Sequence, residues 1–284
     1  MTNVSIIIVT WNSEEHIQNC LNSIDKSYEI ILVDNDSKDS TLKNVKTKFP
    51  YVKIIKNTTN PGLSKATNQG VQIATHDYLL LLNPDVIMKK DTIEKLCSFM
   101  DSRKDIAICG PQFFYPNGKL QPSCRELPTF KNLFFEASGL GKCFHGWKMR
   151  YFDHKTTREV EQIMASCLLI KKAVFNEVGG MNERYPIFMN DVALCYDVKE
   201  KGYKTYFCAD INVIHYHGAS TRKMGRKKII EWHWSMYRYL KDHSPNAFLS
   251  AVYGTLLLGG AMLRVLFSLL FSWIGVLFSR TKKA

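Results

Sequence analysis

The sequence predicts an α/β fold, a mostly parallel sheet joined by crossover helices, followed by a separate apolar tail. Three observations lead there. Short β-branched or leucine-rich runs alternate with stretches of helical periodicity over the first half, the pattern of strands linked by helices. Those runs end in polar residues, at Thr10, Asp34, Asn57 and Asp85. From Ala247 to Phe278 the chain carries a single charge, Arg264, which divides it into residues 1–243 and a segment over 244–284.

The elements follow in order. "VSIIIVT" (4–10) is a β-branched strand, with Trp11, Asn12 and Ser13 as loop and cap. "EEHIQNCLNSI" (14–24) then sets Ile17, Cys20, Leu21 and Ile24 at helical spacing. "EIILVD" (29–34) and "VKIIKN" (52–57) are the second and third strands, and "SKATNQGVQIA" (64–74) is a helix. "YLLLLN" (78–83) is the fourth strand, leucine-rich enough to be buried on both faces. In the second half, "PQFFYPNGKLQPS" (111–123) places an Asn-Gly turn between apolar runs, a hairpin signal. Residues 124–160 are aromatic, basic and irregular, and read as loop. "QIMASCLLIKKAVFNEVGG" (162–180) returns to strand and then helix, stopped by its glycine pair. "NDVALCYDVKEKG" (190–202) is a helix with Val192, Cys195 and Val198 on one face.

Composition narrows the function classes. The eight cysteines are scattered without a C-x-x-C pair, which fits neither a zinc site nor a disulfide framework; most read as small buried hydrophobes. The first residues lack a basic n-region and a cleavage site, so no signal peptide is expected and the catalytic part is expected on the cytosolic side. The net charge of +12 concentrates in "RKMGRKK" (222–228) and in the terminal "SRTKKA". Nucleic acid and an anionic membrane surface are both partners for such patches; the apolar tail beside them favours the membrane. Within that tail Gly259 and Gly260 interrupt the run. Beyond them Arg264, Ser268, Ser272, Gly275 and Ser279 form a small or polar stripe opposite Leu263, Phe267, Leu270, Trp273, Ile274 and Phe278. That is the pattern of a helix lying in the membrane interface; a helix packed in a homodimer interface is the alternative.

In open α/β sheets ligands bind beyond the carboxyl ends of the strands, where Thr10, Asp34, Asn57 and Asp85 fall. One acidic strand tip reads as a turn residue; a set of polar tips along one edge reads as a site.

Six ordered stretches, "VSIIIVTWNSEEHIQNCLNSI", "IILVDNDSKDST", "NPGLSKATNQG", "LLLLNPDV", "GGMNERYPIFMNDVALCYDV" and "VIHYHGAS", resemble the rhamnosyltransferase-type family 2 glycosyltransferases with the GT-A fold, over residues 4–241. The resemblance implies a Rossmann-like nucleotide-binding sheet with an acceptor-side half, and inverting transfer of a sugar, rhamnose by the resemblance, from a dTDP- or UDP-linked donor to a lipid-linked saccharide. It implies Mg²⁺ or Mn²⁺, with Asp85 at the position of the family's metal-binding motif, Asn83 beside it, and His215 as a second metal or diphosphate contact. Asp34 and Asn35 match the base-recognition pair, since a carboxylate can accept the imide N–H of uracil or thymine. Thr10 and Asn12 match the first nucleotide loop; Asn60, Gly62 and Asn68 match the segment over nucleotide and sugar. Asp191 matches the general base. The family's preceding Glu is Asn190 here and its second Asp is Ala193, departures that bear on the acceptor side. Asp191 also reads as a helix N-terminal carboxylate, and His215 as a residue closing a strand. The enzyme is expected at the cytoplasmic face of the cell membrane, without nucleic acid as partner; a polyprenyl-phosphate sugar transferase and a catalytically silent nucleotide-sugar-binding subunit remain as competing readings.

Overall fold

The computed structural model describes residues 3–216, 218, 222–243, 248–262 and 264–265. The chain forms two compact units, 1–220 and 221–284. The sheet and every site residue named above belong to the first. The basic 222–228 stretch and the helix after it belong to the second.

The first four strands are β1 (Val4–Thr10), β2 (Glu29–Asn35), β3 (Lys53–Asn57) and β4 (Tyr78–Leu82). They lie in the order β3-β2-β1-β4, all parallel. Helices α1 (Ile17–Asn22), α2 (Thr41–Lys48) and α3 (Leu63–Gln72) are the crossovers. Ile6, Ile7, Ile8, Leu32, Val33 and Leu79 to Leu82 are buried, because helices cover both faces; each such side chain contributes about 1.5–3 kcal/mol on burial. The order of strand addition reverses at β1, with β2 and β3 to one side and β4 to the other, a topological switch point of the kind beyond which ligands bind in open α/β sheets.

Beyond β4 the sheet is mixed rather than mostly parallel. β5 (Val86–Met88), α4 (Thr92–Asp101) and β6 (Ile106–Phe114) precede the predicted hairpin to β7 (Leu120–Gln121). Its Phe113↔Gln121 register is closed by Gly118 at φ +76°. Short strands β8 (Cys124–Arg125), β9 (Arg158–Glu159) and β10 (Gln162–Ile163) follow, then β11 (Cys167–Lys171) and the long β12 (Lys204–His215). β11 lies antiparallel between β4 and β6, β12 runs parallel to β6, and β5 closes the far edge antiparallel to β12.

The stretch read as loop, 124–160, contains a helix, α5 (Phe130–Ala137). A capping box starts it: Asn132 N–H donates to Thr129 Oγ1 at 3.2 Å and Thr129 N–H to Asn132 Oδ1 at 2.8 Å. Helices α6 (Lys172–Glu177) and α7 (Asn190–Glu200) fall where periodicity placed them. Gly179 and Gly180 follow α6 at φ +83° and +80°, and Val192, Cys195 and Val198 of α7 are buried. All eight cysteines are free and seven are buried, as expected of small hydrophobes.

In the second unit α8 (Lys227–His243) buries His233, Met236, Tyr239 and Leu240 and leaves Ile230 and Trp234 exposed. Residues 248–262 are helical. Among the described residues no helix is long and apolar enough to cross a membrane. Of the expected interfacial helix, Leu263, Phe267, Ser268, Leu270, Ser272, Trp273, Ile274, Gly275, Phe278 and Ser279 lie outside the described residues.

Candidate active site

The parallel register brings the first polar tips level, Thr10↔Asp34 and Asn35↔Asn57. Asp34 is wholly buried; it accepts from Thr10 Oγ1 at 3.1 Å and from Ser37 N–H at 3.0 Å. Asn12, at φ +51°, ties the loops after β1 and β2 together: its N–H donates to Ser37 Oγ at 2.8 Å and its Oδ1 accepts Lys38 N–H at 2.7 Å. Asn35 accepts from Asn57 Nδ2 at 2.9 Å, then donates to Gly62 O at 3.1 Å and Asn60 Oδ1 at 3.3 Å. Gln69, which sequence reasoning passed over, exchanges two amide bonds with Asn57, at 2.8 and 3.1 Å.

The "NPGLSKATNQG" segment joins this nucleotide-side cluster to residues 181–186. Gly62 sits at φ +94°, where a Cβ would stand 2.7 Å from Pro186 Cβ; glycine is needed for both conformation and close approach. Leu63 N–H donates to Pro186 O at 2.6 Å and Ser64 Oγ to Tyr185 O at 2.5 Å. Asn68 brackets Met181, with Nδ2 donating to its carbonyl at 2.9 Å and Oδ1 accepting its N–H at 2.8 Å.

At the tip of β4, Asn83 turns to the neighbouring strand: its N–H donates to Ser166 O at 2.9 Å and its Nδ2 to Ser166 Oγ at 3.1 Å. Asp85 and His215 meet through the β5–β12 pairing, in which His215 stands opposite Val86 and Tyr216 N–H donates to Asp85 O at 3.1 Å. His215 Nε2 lies 3.5 Å from Asp85 Oδ1, and both side chains are buried. His215 Nδ1 is 2.7 Å from Gln121 Oε1. Cys20 lies under the same turn, its Sγ 3.6 Å from Asn83 O; burial, and then the Asp85 charge, push its thiol well above the usual range. Among the described residues no group of three or more His, Cys, Asp or Glu side chains gathers to hold a metal. Asp85 and His215 remain a carboxylate and an imidazole side by side at this tip.

Asp191 stands in the first turn of α7, after Met189 in the left-handed region at φ +64°. Its Oδ1 accepts Val192 N–H at 2.9 Å and its Oδ2 accepts Gln162 Nε2 at 3.0 Å. Burial raises its pKa; hydrogen bonds from the Val192 and Ala165 N–H groups, and the Arg125 charge, oppose the rise without cancelling it. Gln162 thus bonds Asp191 while Ser166, four residues on, bonds Asn83, so one short segment connects the fourth-strand tip to the start of α7. Asn190 is buried and spends its amide locally, donating to Ile187 O at 3.1 Å and accepting Asp191 N–H at 2.7 Å. Ala193 is fully buried. Gln121, Gln162 and Ser166 were missed from the sequence, since each acquires its partner through strand pairing and no local pattern marks it.

A four-stranded parallel half-sheet in the order β3-β2-β1-β4, continued by a mixed half with an acidic turn after β4, is a GT-A-like fold. Residues 5–178 match Glycosyl transferase family 2, and the chain belongs to that family. It is rhamnosyltransferase-like: it is 26% identical over 263 residues to the N-acetylglucosaminyl-diphospho-decaprenol L-rhamnosyltransferase of Mycobacterium tuberculosis, covering 85% of each chain. It is 27% identical over 251 residues to rhamnosyltransferase WbbL of Escherichia coli K12, covering 84% of this chain and 92% of the relative. Among solved structures it resembles the mannosyltransferase PcManGT of Pyrobaculum calidifontis, solved with GDP-Man and Mn²⁺, at a TM-score of 0.57 and 14% identity over 86% of this chain and 65% of that one. S. aureus TarS aligns at a TM-score of 0.54 and 17% identity, over 91% of this chain and 71% of the other. At such identities the structural likeness establishes the fold.

Proposed function

We propose that this glycosyltransferase moves a sugar, rhamnose by its relatives, from a dTDP- or UDP-linked donor to the hydroxyl of a lipid-linked saccharide in cell-surface polysaccharide assembly. Transfer proceeds with inversion and with a divalent cation, Mg²⁺ or Mn²⁺. The observation that carries the reading is the segment 162–166, bonded to Asp191 through Gln162 and to Asn83 through Ser166, which joins the Asp85 tip to Asp191. It supports a metal-side carboxylate and a base-side carboxylate sharing one site.

The residues at the tip suit a hard cation. Two ligands about 2.1 Å from one ion stand roughly 3.0–3.4 Å apart, close to the 3.5 Å between Asp85 Oδ1 and His215 Nε2. Mg²⁺ and Mn²⁺ sites complete their shells with water and substrate phosphate. When bound, the cation would supply charge stabilisation to the departing diphosphate. The chain does the rest. Asp34 keeps lone pairs for the base imide N–H beside its bonds to Thr10 and Ser37, and the loop over residues 36–38 must admit that base. Asp191 takes the acceptor hydroxyl's proton as that oxygen bonds to the anomeric carbon and the carbon–phosphate-oxygen bond breaks, its electron pair leaving with the diphosphate. A carboxyl raised by burial is a stronger base at neutral pH than an exposed one.

The second unit supports attachment to the cytoplasmic face of a membrane. Basic residues 222–228 precede α8, and Phe248, Leu256 and Met262 are 75%, 65% and 67% exposed, the combination by which interfacial helices hold anionic bilayers.

The test incubates the full chain with dTDP-rhamnose and a panel of UDP-sugars, a short-chain lipid-diphosphate N-acetylglucosamine acceptor and Mn²⁺, and reads the product and its anomeric configuration. Transfer with inversion, abolished by chelation, is the expected result. Tight donor binding without transfer to any lipid-linked acceptor would instead support the silent-subunit reading that Asn190 and Ala193 suggest. Transfer to polyprenyl phosphate itself would support the other rival.

A further inference from the structure

Gln121 reaches the Asp85–His215 pair by a route that no sequence motif announces. The β6–β7 hairpin sets it opposite Phe113, and β6 lies beside β12 with Phe113 level with Val213. The Phe113 ring is 5.5 Å from the His215 ring. Gln121 is 2% exposed, with Oε1 2.7 Å from His215 Nδ1. An amide oxygen only accepts, so Nδ1 carries the imidazole proton in this arrangement and Nε2 presents a lone pair. Nε2 is the atom 3.5 Å from Asp85 Oδ1.

That separation discriminates between the two neutral tautomers. If Nε2 carried the proton it would donate to Asp85, and a hydrogen bond between imidazole and carboxylate closes to about 2.7–2.9 Å. The 3.5 Å separation is instead close to that of two ligands of one cation. Gln121 Nε2, meanwhile, is buried with no hydrogen-bond partner. A surface glutamine would give both ends to water; this one is held inside with one end engaged on the histidine.

We infer that Gln121 is a positioning residue of the cation site, holding His215 in the tautomer that offers Nε2 beside Asp85. The inference rests on the proposed reading of Asp85 and His215 as the cation pair. Partners that hold a ligating histidine in this way typically contribute about 10–100-fold to metal affinity.

The experiment measures Mn²⁺ binding to the full chain in the presence of dTDP, by electron paramagnetic resonance of free Mn²⁺, for wild type, Gln121→Leu, Gln121→Glu and Asp85→Ala. The His215 tautomer is read in parallel from ¹⁵N imidazole shifts of the metal-free protein. Expected are an Nδ1–H tautomer in wild type, Mn²⁺ binding about 10–100-fold weaker in Gln121→Leu, and near-normal binding in Gln121→Glu, whose carboxylate also accepts from Nδ1–H. An Nε2–H tautomer in wild type overturns the inference even if Gln121→Leu fails to fold. So does unchanged Mn²⁺ affinity in Gln121→Leu when Asp85→Ala has lost it. Unchanged affinity in Asp85→Ala overturns the cation-pair reading itself, and the positioning role with it.

Discussion

Two partly buried carboxylates, one in each half of the first unit, are treated in opposite ways. Glu29 opens β2 on the nucleotide side and is surrounded by donors: Lys53 Nζ at 2.6 Å, the Ser5 hydroxyl, and Thr75 N–H and Oγ1 at 2.8 and 3.1 Å. Burial works to raise its pKa, but Lys53, Ser5 and Thr75 outweigh it and hold the group at about 2. Asp191, in the second half, has the Arg125 charge in its neighbourhood and hydrogen bonds from Gln162 and Val192, yet burial wins and its pKa rises. The first is matched for stability. The second keeps a cost of ionisation that a general base can use. The surroundings differ in the same sense. The parallel half is a ladder of strands five to seven residues long, whereas in the second half β7 to β10 are two residues each and side chains do the fastening, as in Gln112 Nε2 donating to His154 O at 2.6 Å. A regular parallel ladder thus adjoins a half built of loops and short strands, the kind of surface where sequence is most readily varied.

The largest break in this comparison comes from Asp191→Asn. Transfer is expected to fall by about 10²–10⁴-fold with donor affinity nearly unchanged, measured by initial rates beside dTDP titration; an unchanged rate places the base elsewhere. The same substitution tests the stability side. A carboxyl whose folded pKa lies above its unfolded value stabilises the fold below the unfolded pKa and loses that contribution as pH rises through the folded one. Asp191→Asn is therefore expected to raise the melting temperature at pH 7 relative to wild type, with the advantage shrinking as pH falls through the acid range; a lower melting temperature at pH 7 contradicts the burial cost.

Gly62→Ala attacks the clasp between the halves. The added Cβ meets Pro186 backbone and side chain at 2.7–3.1 Å with φ at +94°, so a loss of about 2–3 kcal/mol is expected in urea unfolding. Neutral behaviour would mean that the 60–64 and 181–186 segments separate freely. Glu29→Gln is the smallest effect, about 1 kcal/mol of destabilisation at pH 7. A carboxylate with a depressed folded pKa stabilises above its unfolded pKa and loses that stability as pH falls through the folded one, so mutant and wild type should converge as pH approaches about 2. A difference that persists there assigns the effect to packing.

The sequence by itself determined the elements that local chemistry encodes. β1 to β4, α3 and α7 follow from period and turn residues, the Asn117–Gly118 hairpin from its dipeptide, and the row of polar tips from where each apolar run stops. The site was legible to the extent that those tips are: Thr10, Asp34, Asn35 and Asp85 stand at strand ends as read, and Asp191 opens α7. Only the tertiary structure decided that β11 enters antiparallel between β4 and β6, bringing Ser166 to Asn83, and that the three-residue β5 crosses to the far edge and sets Asp85 against His215. It alone brought Gln121 to His215, 94 residues away. These are choices of partner between strands distant in the chain. A strand's alternation says which face it buries and leaves its neighbour and register to the packing of the whole sheet.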